Sequence, residues 1–162
     1  MPVVLTGCGL HDPYAQQSER PTPTSSAAGP AAVTAVPLTG PARSATEVLA
    51  RYATAWVNWT GASLDRQRAG LLTLAAEPLE DELHKDAAEA TKTRLQEASN
   101  AYSRGRYVGA IPQAGQGAIV ITYEEVAPLG GSAQAGYHVY LARTARTAHG
   151  WRVTQWQPVT DG

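Results

Sequence analysis

Phenylalanine is absent from the 162 residues, and cysteine and methionine each occur once. A single cysteine allows no intrachain disulfide, so stability has to come from packing. With no Phe, the interior must be filled by Trp, Tyr, Leu and Val. An excess of one charge is lacking too: 13 Lys and Arg against 14 Asp and Glu leave a formal net charge of -1. That balance supplies no field to draw in nucleic acid, and it excludes a strongly acidic solvating protein. Hydrophobic content of 43% at this length supports one core rather than two. The sequence contains no nucleophile elbow, phosphate loop or paired Cys/His cluster. Gly115-x-Gly117 is not followed by the helix a dinucleotide site requires, so it reads as a turn.

What is present begins with Leu5-Thr6-Gly7-Cys8. This segment resembles the lipobox of bacterial lipoproteins, in which an aliphatic and two small residues precede the lipid-bearing cysteine. The resemblance implies that Cys8 carries a diacylglyceryl group and becomes the mature N-terminus, holding the protein on the outer face of the bacterial cell membrane. A signal peptide needs a basic segment and an apolar stretch of roughly 7–15 residues, so its start is expected upstream of residue 1. Residues 1–8 then read as the end of that signal. Residues 9–43, with prolines at 21, 23, 30, 37 and 41, read as a Pro/Ala/Thr/Ser-rich tether. Such a composition buries too little apolar surface to offset its ordering entropy. From about residue 15 the tether spans about 100 Å as polyproline II and about 30 Å as a coil.

The folded domain is expected over 44–162. Ser44-Ala-Thr-Glu47 reads as a capping box in which Glu47 reaches back to Ser44. Val48, Leu49, Tyr52, Ala53, Trp56 and Val57 follow at helical spacing. Ser63 is expected to cap a second helix through Leu64, Leu71, Leu72 and Ala75. Pro78 suits the first turn of a third helix, where Glu80, Asp81 and Glu82 complement the dipole. Its apolar stripe runs through Leu79, Leu83, Ala87, Ala90, Leu95 and Ala98, and Gly105 is expected to close the helical half. From Arg106 the period becomes two, which predicts strands at 106–111, 118–126, 137–146 and 151–157 with antiparallel connections. The class is α+β: three helices packed on a curved four-stranded antiparallel sheet. Trp56 and Trp151 are expected to be mostly buried between the two halves.

This order resembles the nuclear-transport-factor-two-like cone. More narrowly, Ala55-Trp56-Val57-Asn58-Trp59, Gly150-Trp151-Arg152-Val153 and Trp156-Gln157-Pro158 resemble a group of actinobacterial conjugation-associated proteins. That group is akin to the TcpC family and to the extracytoplasmic domain of the eighth VirB component of type IV secretion. The resemblance covers about Ser44 to Pro158 and implies a non-enzymatic assembly role outside the membrane. TcpC-like proteins usually have a transmembrane anchor and more than one such domain, whereas this sequence reads as one domain behind a segment that resembles a lipobox.

No constellation for catalysis, cofactor or metal stands out. His138 lies mid-strand and reads as structural rather than as a proton-transfer residue. His84 and Asp81 share a helix face without a third ligand, and Glu124 and Glu125 point to opposite faces. Arg104, Arg106, Arg143, Arg146 and Arg152 suggest a basic strip, but the net charge favours a solvated sheet edge and no nucleic acid. Alternation assigns Ile119, Ile121, Tyr123, Val139, Leu141 and Val153 to the inner face. It leaves Val120, Thr122, His138, Tyr140, Thr154 and Trp156 on the outer face as the candidate partner-binding surface, for self-association or another envelope component. The alternative functions are a small-ligand-binding or enzymatic cone and an orphan envelope lipoprotein. Limited proteolysis of the purified chain is expected to cut between Ala15 and Arg43 and leave a resistant fragment beginning near Ser44; protection of that whole stretch would contradict the tether.

Overall fold

The computed structural model describes residues 40–88, 100–128 and 130–159. Cys8, most of the expected tether, and Ala90, Leu95 and Ala98 of the expected third helix lie outside the described residues. Among those described, three helices pack on a curled five-stranded antiparallel sheet. Helix α1 is Ala45–Trp56, strand β1 is Trp59–Thr60, and a 3-10 turn at Gly61–Ser63 leads into α2, Leu64–Leu72. Helix α3 is Leu79–Ala88, and the strands β2 (Tyr102–Gln113), β3 (Gly117–Ala127), β4 (Gln134–Thr147) and β5 (Gly150–Pro158) form a meander in that order. The sheet thus has one strand more than the period-two runs predict, because β1 is only two residues long. Each strand also extends beyond its expected ends.

The start of α1 follows its sequence closely. Ser44 Oγ accepts from Glu47 N at 3.1 Å. The returning carboxylate takes Arg43 N at 2.7 Å rather than Ser44 N, and it also pairs with Arg51 one turn on. Arg51 is buried and donates to Gly40 O at 2.6 Å. Ala42 is buried as well, and its carbonyl accepts from Trp151 N at 3.1 Å. Gly40 and Ala42 are thus bonded into the domain, and the proteolytic fragment should retain residues 40–43 ahead of Ser44. Gly150 lies at φ +97, and a Cβ there would stand 2.8 Å from Ala42 O. Glycine is required at this turn on both counts.

Gly105 does not close the helical half; it sits inside β2 opposite Glu124. A Cβ on it would lie 2.3 Å from Tyr123 O. Asn58 occupies the space beside it. Its Nδ2 donates to Gly105 O and its Oδ1 accepts from Gly105 N, both at 3.1 Å, so one side-chain amide completes the backbone pairing just beyond β1. The same Nδ2 donates to Thr54 O at 2.8 Å and joins the end of α1 to the sheet. Ser63 does not cap α2 by a side-chain bond; its hydroxyl accepts from Thr60 N at 2.8 Å.

The inner and outer faces of β3 and β4 are the reverse of the sequence expectation. Val120, Thr122 and Tyr140 face the helices and are buried, with Ala118, Glu124, Ala142 and Thr144. Ile119, Ile121, Tyr123, Val139 and Leu141 face outward, and Leu141 is 46% exposed. These strands are apolar on both faces, so alternation alone does not say which face the helices cover. In β5, Val153 and Trp156 are both buried although three residues apart. A bulge explains this: Arg143 pairs with Gln155 and Thr144 with Val153, which leaves Thr154 unpaired. His138 keeps the inner-face phase but is exposed at the far end of β4.

The core joins Val48, Leu49, Tyr52 and Ala53 of α1 to Val120, Tyr140, Val153 and Trp156 of the sheet. Trp56 and Trp151 are partly buried at its margin rather than mostly buried. The greater penalty is therefore expected at Trp156: Trp156→Ala should cost on the order of 3–5 kcal/mol in denaturant unfolding, and Trp151→Ala clearly less. Equal losses would contradict this arrangement.

Candidate functional site

A chain of hydrogen bonds crosses the inner face under the C-terminal end of α1. Trp56 Nε1 donates to Tyr140 Oη at 3.3 Å, Tyr140 Oη donates to Glu124 Oε1 at 2.8 Å, and Thr122 Oγ1 donates to the same oxygen. Helix α1 supplies the indole, β4 the phenol, and β3 the hydroxyl and carboxylate, two residues apart on one face. Burying a carboxylate is costly without such partners. The rings pack as closely as they bond. Tyr140 stacks on Trp156 at 4.7 Å, Trp156 lies 4.9 Å from Tyr52, and Trp56 meets Tyr140 edge-on at 6.3 Å.

Glu124 also lines a cavity of about 330 Å³ bounded by α2, α3 and the ends of β2 and β3. Its walls include Trp56, Trp59, Leu64, Leu71, Leu83 and Val126, with Gln67, Arg68 and Asp86 as the other long polar side chains. Gln67 is held by a bond from Nε2 to Trp56 O at 3.1 Å, and Arg68 stands 3.8 Å from Asp65. Sequence reading placed Glu124 and Glu125 on opposite faces, as they are, but missed that Glu124 is buried. The available signal was Tyr140 and Thr122 in the same phase of a neighbouring or the same strand, two hydroxyls able to satisfy an inward carboxylate.

Of the candidate partner-binding residues, Val120, Thr122, Tyr140 and Trp156 belong to the core, Thr154 is the bulge residue, and His138 alone is exposed. They do not form a common surface. The outer face instead carries three cross-strand rows: Ile111–Ile119–Leu141, then Ile121–Val139, then Arg106–Tyr123–Tyr137. Ile111 is 52% and Tyr137 66% exposed. Tyr123 and Tyr137 meet edge-on at 5.3 Å, and the Arg106 guanidinium lies 5.2 Å from the Tyr123 ring centroid. Beside them Glu125 accepts from both Tyr102 and Arg104, whose donors hold its carboxyl below the usual range. Arg104 and Arg106 are thus engaged with rings and a carboxylate. His84 and Asp81 are exposed on α3, and no cluster able to hold a metal ion occurs among the described residues. No described helix is long and apolar enough to cross a membrane.

Two inner-face phenols should report on the intact core. Desolvation raises Tyr52 above the ordinary tyrosine value of about 10, and the charge of Glu82 adds to it. Desolvation also raises Tyr140, together with its hydrogen bond to Glu124. The folded state holds these protons more tightly, so the stability they contribute is complete below about pH 10 and lost as pH rises above it. Tyrosinate absorbance is expected to rise in two steps, the second coinciding with loss of the far-ultraviolet dichroism. Tyr140→Phe should diminish that second step and destabilise the chain by about 1–3 kcal/mol.

No protein-family model and no curated protein matches this sequence. Solved structures do match its fold. The VirB8 protein of Agrobacterium tumefaciens superposes with a TM-score of 0.58 at 10% identity, over 71% of this chain and 89% of that one. TraH, assigned as a transfer protein of the Gram-positive conjugative plasmid pIP501, superposes with a TM-score of 0.52 at 10% identity, over 73% of this chain and 93% of that one. At such identity the likeness is one of fold: the chain shares its α+β architecture with both.

Proposed function

We propose that this chain is a lipid-anchored, non-enzymatic assembly component of a conjugation-type, type IV secretion-like apparatus on the outer face of the cell membrane. The observation that carries this reading is the fold shared with VirB8 and TraH, the latter from a conjugative plasmid. It is supported by the Val57-Asn58-Trp59 and Gly150-Trp151 to Trp156-Gln157-Pro158 segments, which resemble conjugation-associated proteins. In this fold Asn58 bridges α1 to β2, while Val153 and Trp156 seat β5 under α1. The lipid at Cys8 rests on the lipobox resemblance, and the tether on the composition of 9–43. Two acyl chains hold a protein to a bilayer stably where one does not.

The contact surface in this reading is the outer sheet face, one residue out of phase with the sequence-based choice. Apolar side chains from three adjacent strands, with Tyr137 and Ile111 largely in water, form the kind of continuous patch that marks an association surface. The partner is a second copy of the chain or another component of the apparatus.

Expression of the full chain behind a restored signal sequence tests both halves. It should fractionate with membranes, and Cys8→Ser should leave the full-length precursor unprocessed; a Cys8→Ser protein that matures and stays membrane-bound overturns the anchor. Tyr137→Asp combined with Leu141→Asp should keep the native dichroism and lose association in sedimentation and crosslinking. Unchanged association overturns the surface.

A further inference from the structure

We propose that the cavity beside Trp56 and Trp59 binds a small organic cation, with an ammonium group seated on the second carboxylate oxygen of Glu124. This inference is independent of the assembly role. Glu124 is 5% exposed, and both donors that reach it, Thr122 Oγ1 and Tyr140 Oη, converge on Oε1. Among the described residues no donor meets Oε2. Oε2 is not one of the buried unpartnered atoms of the described residues; it opens on the cavity, where a guest that donates a charge-assisted hydrogen bond can reach it.

The rest of the wall selects the class of guest. Among the described residues that line it, the charged side chains are two carboxylates, Glu124 and Asp86, and one guanidinium, Arg68, which also stands near Asp65. The sum is negative. A charge-assisted bond from an ammonium is roughly twice as strong as one from a neutral hydroxyl or amide. The aromatic lining of Trp56 and Trp59 favours a cation further. Leu64, Leu71, Leu83 and Val126 offer room for a short alkyl chain. A volume of about 330 Å³ lies at the lower end of small-molecule sites, which run from about 300 Å³ upward. Gln67 Nε2 is occupied by Trp56 O, which leaves its side-chain oxygen as a further acceptor.

Intrinsic tryptophan fluorescence reads the site, since Trp56 and Trp59 line it. The full chain should be titrated with n-butylammonium chloride, and in parallel with sodium butyrate and 1-pentanol as guests of similar size. The expected result is a saturable change with butylammonium only. Glu124→Gln should weaken it by about tenfold or more, and Trp59→Ala by about threefold, each with native far-ultraviolet dichroism. Should Glu124→Gln not fold, Asp86→Asn, an exposed change on α3, replaces it; a loss of about twofold is expected from the removed charge. Absence of saturable binding, an equal response to butyrate or pentanol, or undiminished binding by the carboxamide variant would overturn the proposal.

Discussion

Four rings hold the helical layer to the sheet: Tyr52 and Trp56 from α1, Tyr140 and Trp156 from β4 and β5. A chain without phenylalanine must build such a junction from aromatics that each carry a polar tip. Where the tips find partners, as in Trp56–Tyr140–Glu124, the core acquires a directional polar thread. Where they do not, as for Tyr52 Oη and Trp156 Nε1, a buried donor is left unsatisfied. Small residues make the closeness possible. Ala53 on α1 and Ala118 and Ala142 on the sheet, all buried, let the backbones approach until the large rings on either side can meet.

The same economy governs the border of the sheet. An exposed terminal strand is a template for unwanted pairing, and β5 ends the order β1-β2-β3-β4-β5. Its exposed backbone groups are taken up locally. Trp151 N donates to Ala42 O, Val153 N donates to Leu74 O at 2.9 Å, and Ala76 N donates to Val153 O at 2.9 Å. Segments without regular structure of their own, before α1 and between α2 and α3, thus act as a partial sixth strand.

The class, the helix starts and the meander are legible in the sequence because they depend on local signals: a capping serine, helical spacing from Val48 to Val57, and turn glycines between period-two runs. What alternation could not decide is which way the sheet faces. Ile119, Ile121, Val139 and Leu141 are more apolar than Thr122, Glu124 and Thr144, yet the latter are buried, because their polar atoms are satisfied by one another, by Tyr140 and by backbone carbonyls. Trp156 shares a face with Val153 only through the bulge at Thr154, which a fixed period of two cannot express. Gly105 read as a terminator for the same reason. Its role depends on Asn58, 47 positions away in sequence, and on the carbonyl of a neighbouring strand. For Glu124 the in-phase hydroxyls of Thr122 and Tyr140 are a sequence signal, but the register of β3 and β4 is what brings Tyr140 to it.

The docking of Gly40 to Arg43 bears on mechanics. Tension applied at Gly40 meets the Arg51–Gly40 and Trp151–Ala42 bonds before it reaches α1. Arg51 is braced by Glu47 on the same helix, and Trp151 belongs to a strand paired along its length with β4. A pull is therefore shared between helix and sheet instead of peeling the first turn of α1. Those four residues act as a strain relief, insulating the ring junction and the Glu124 cavity from a load applied at Gly40.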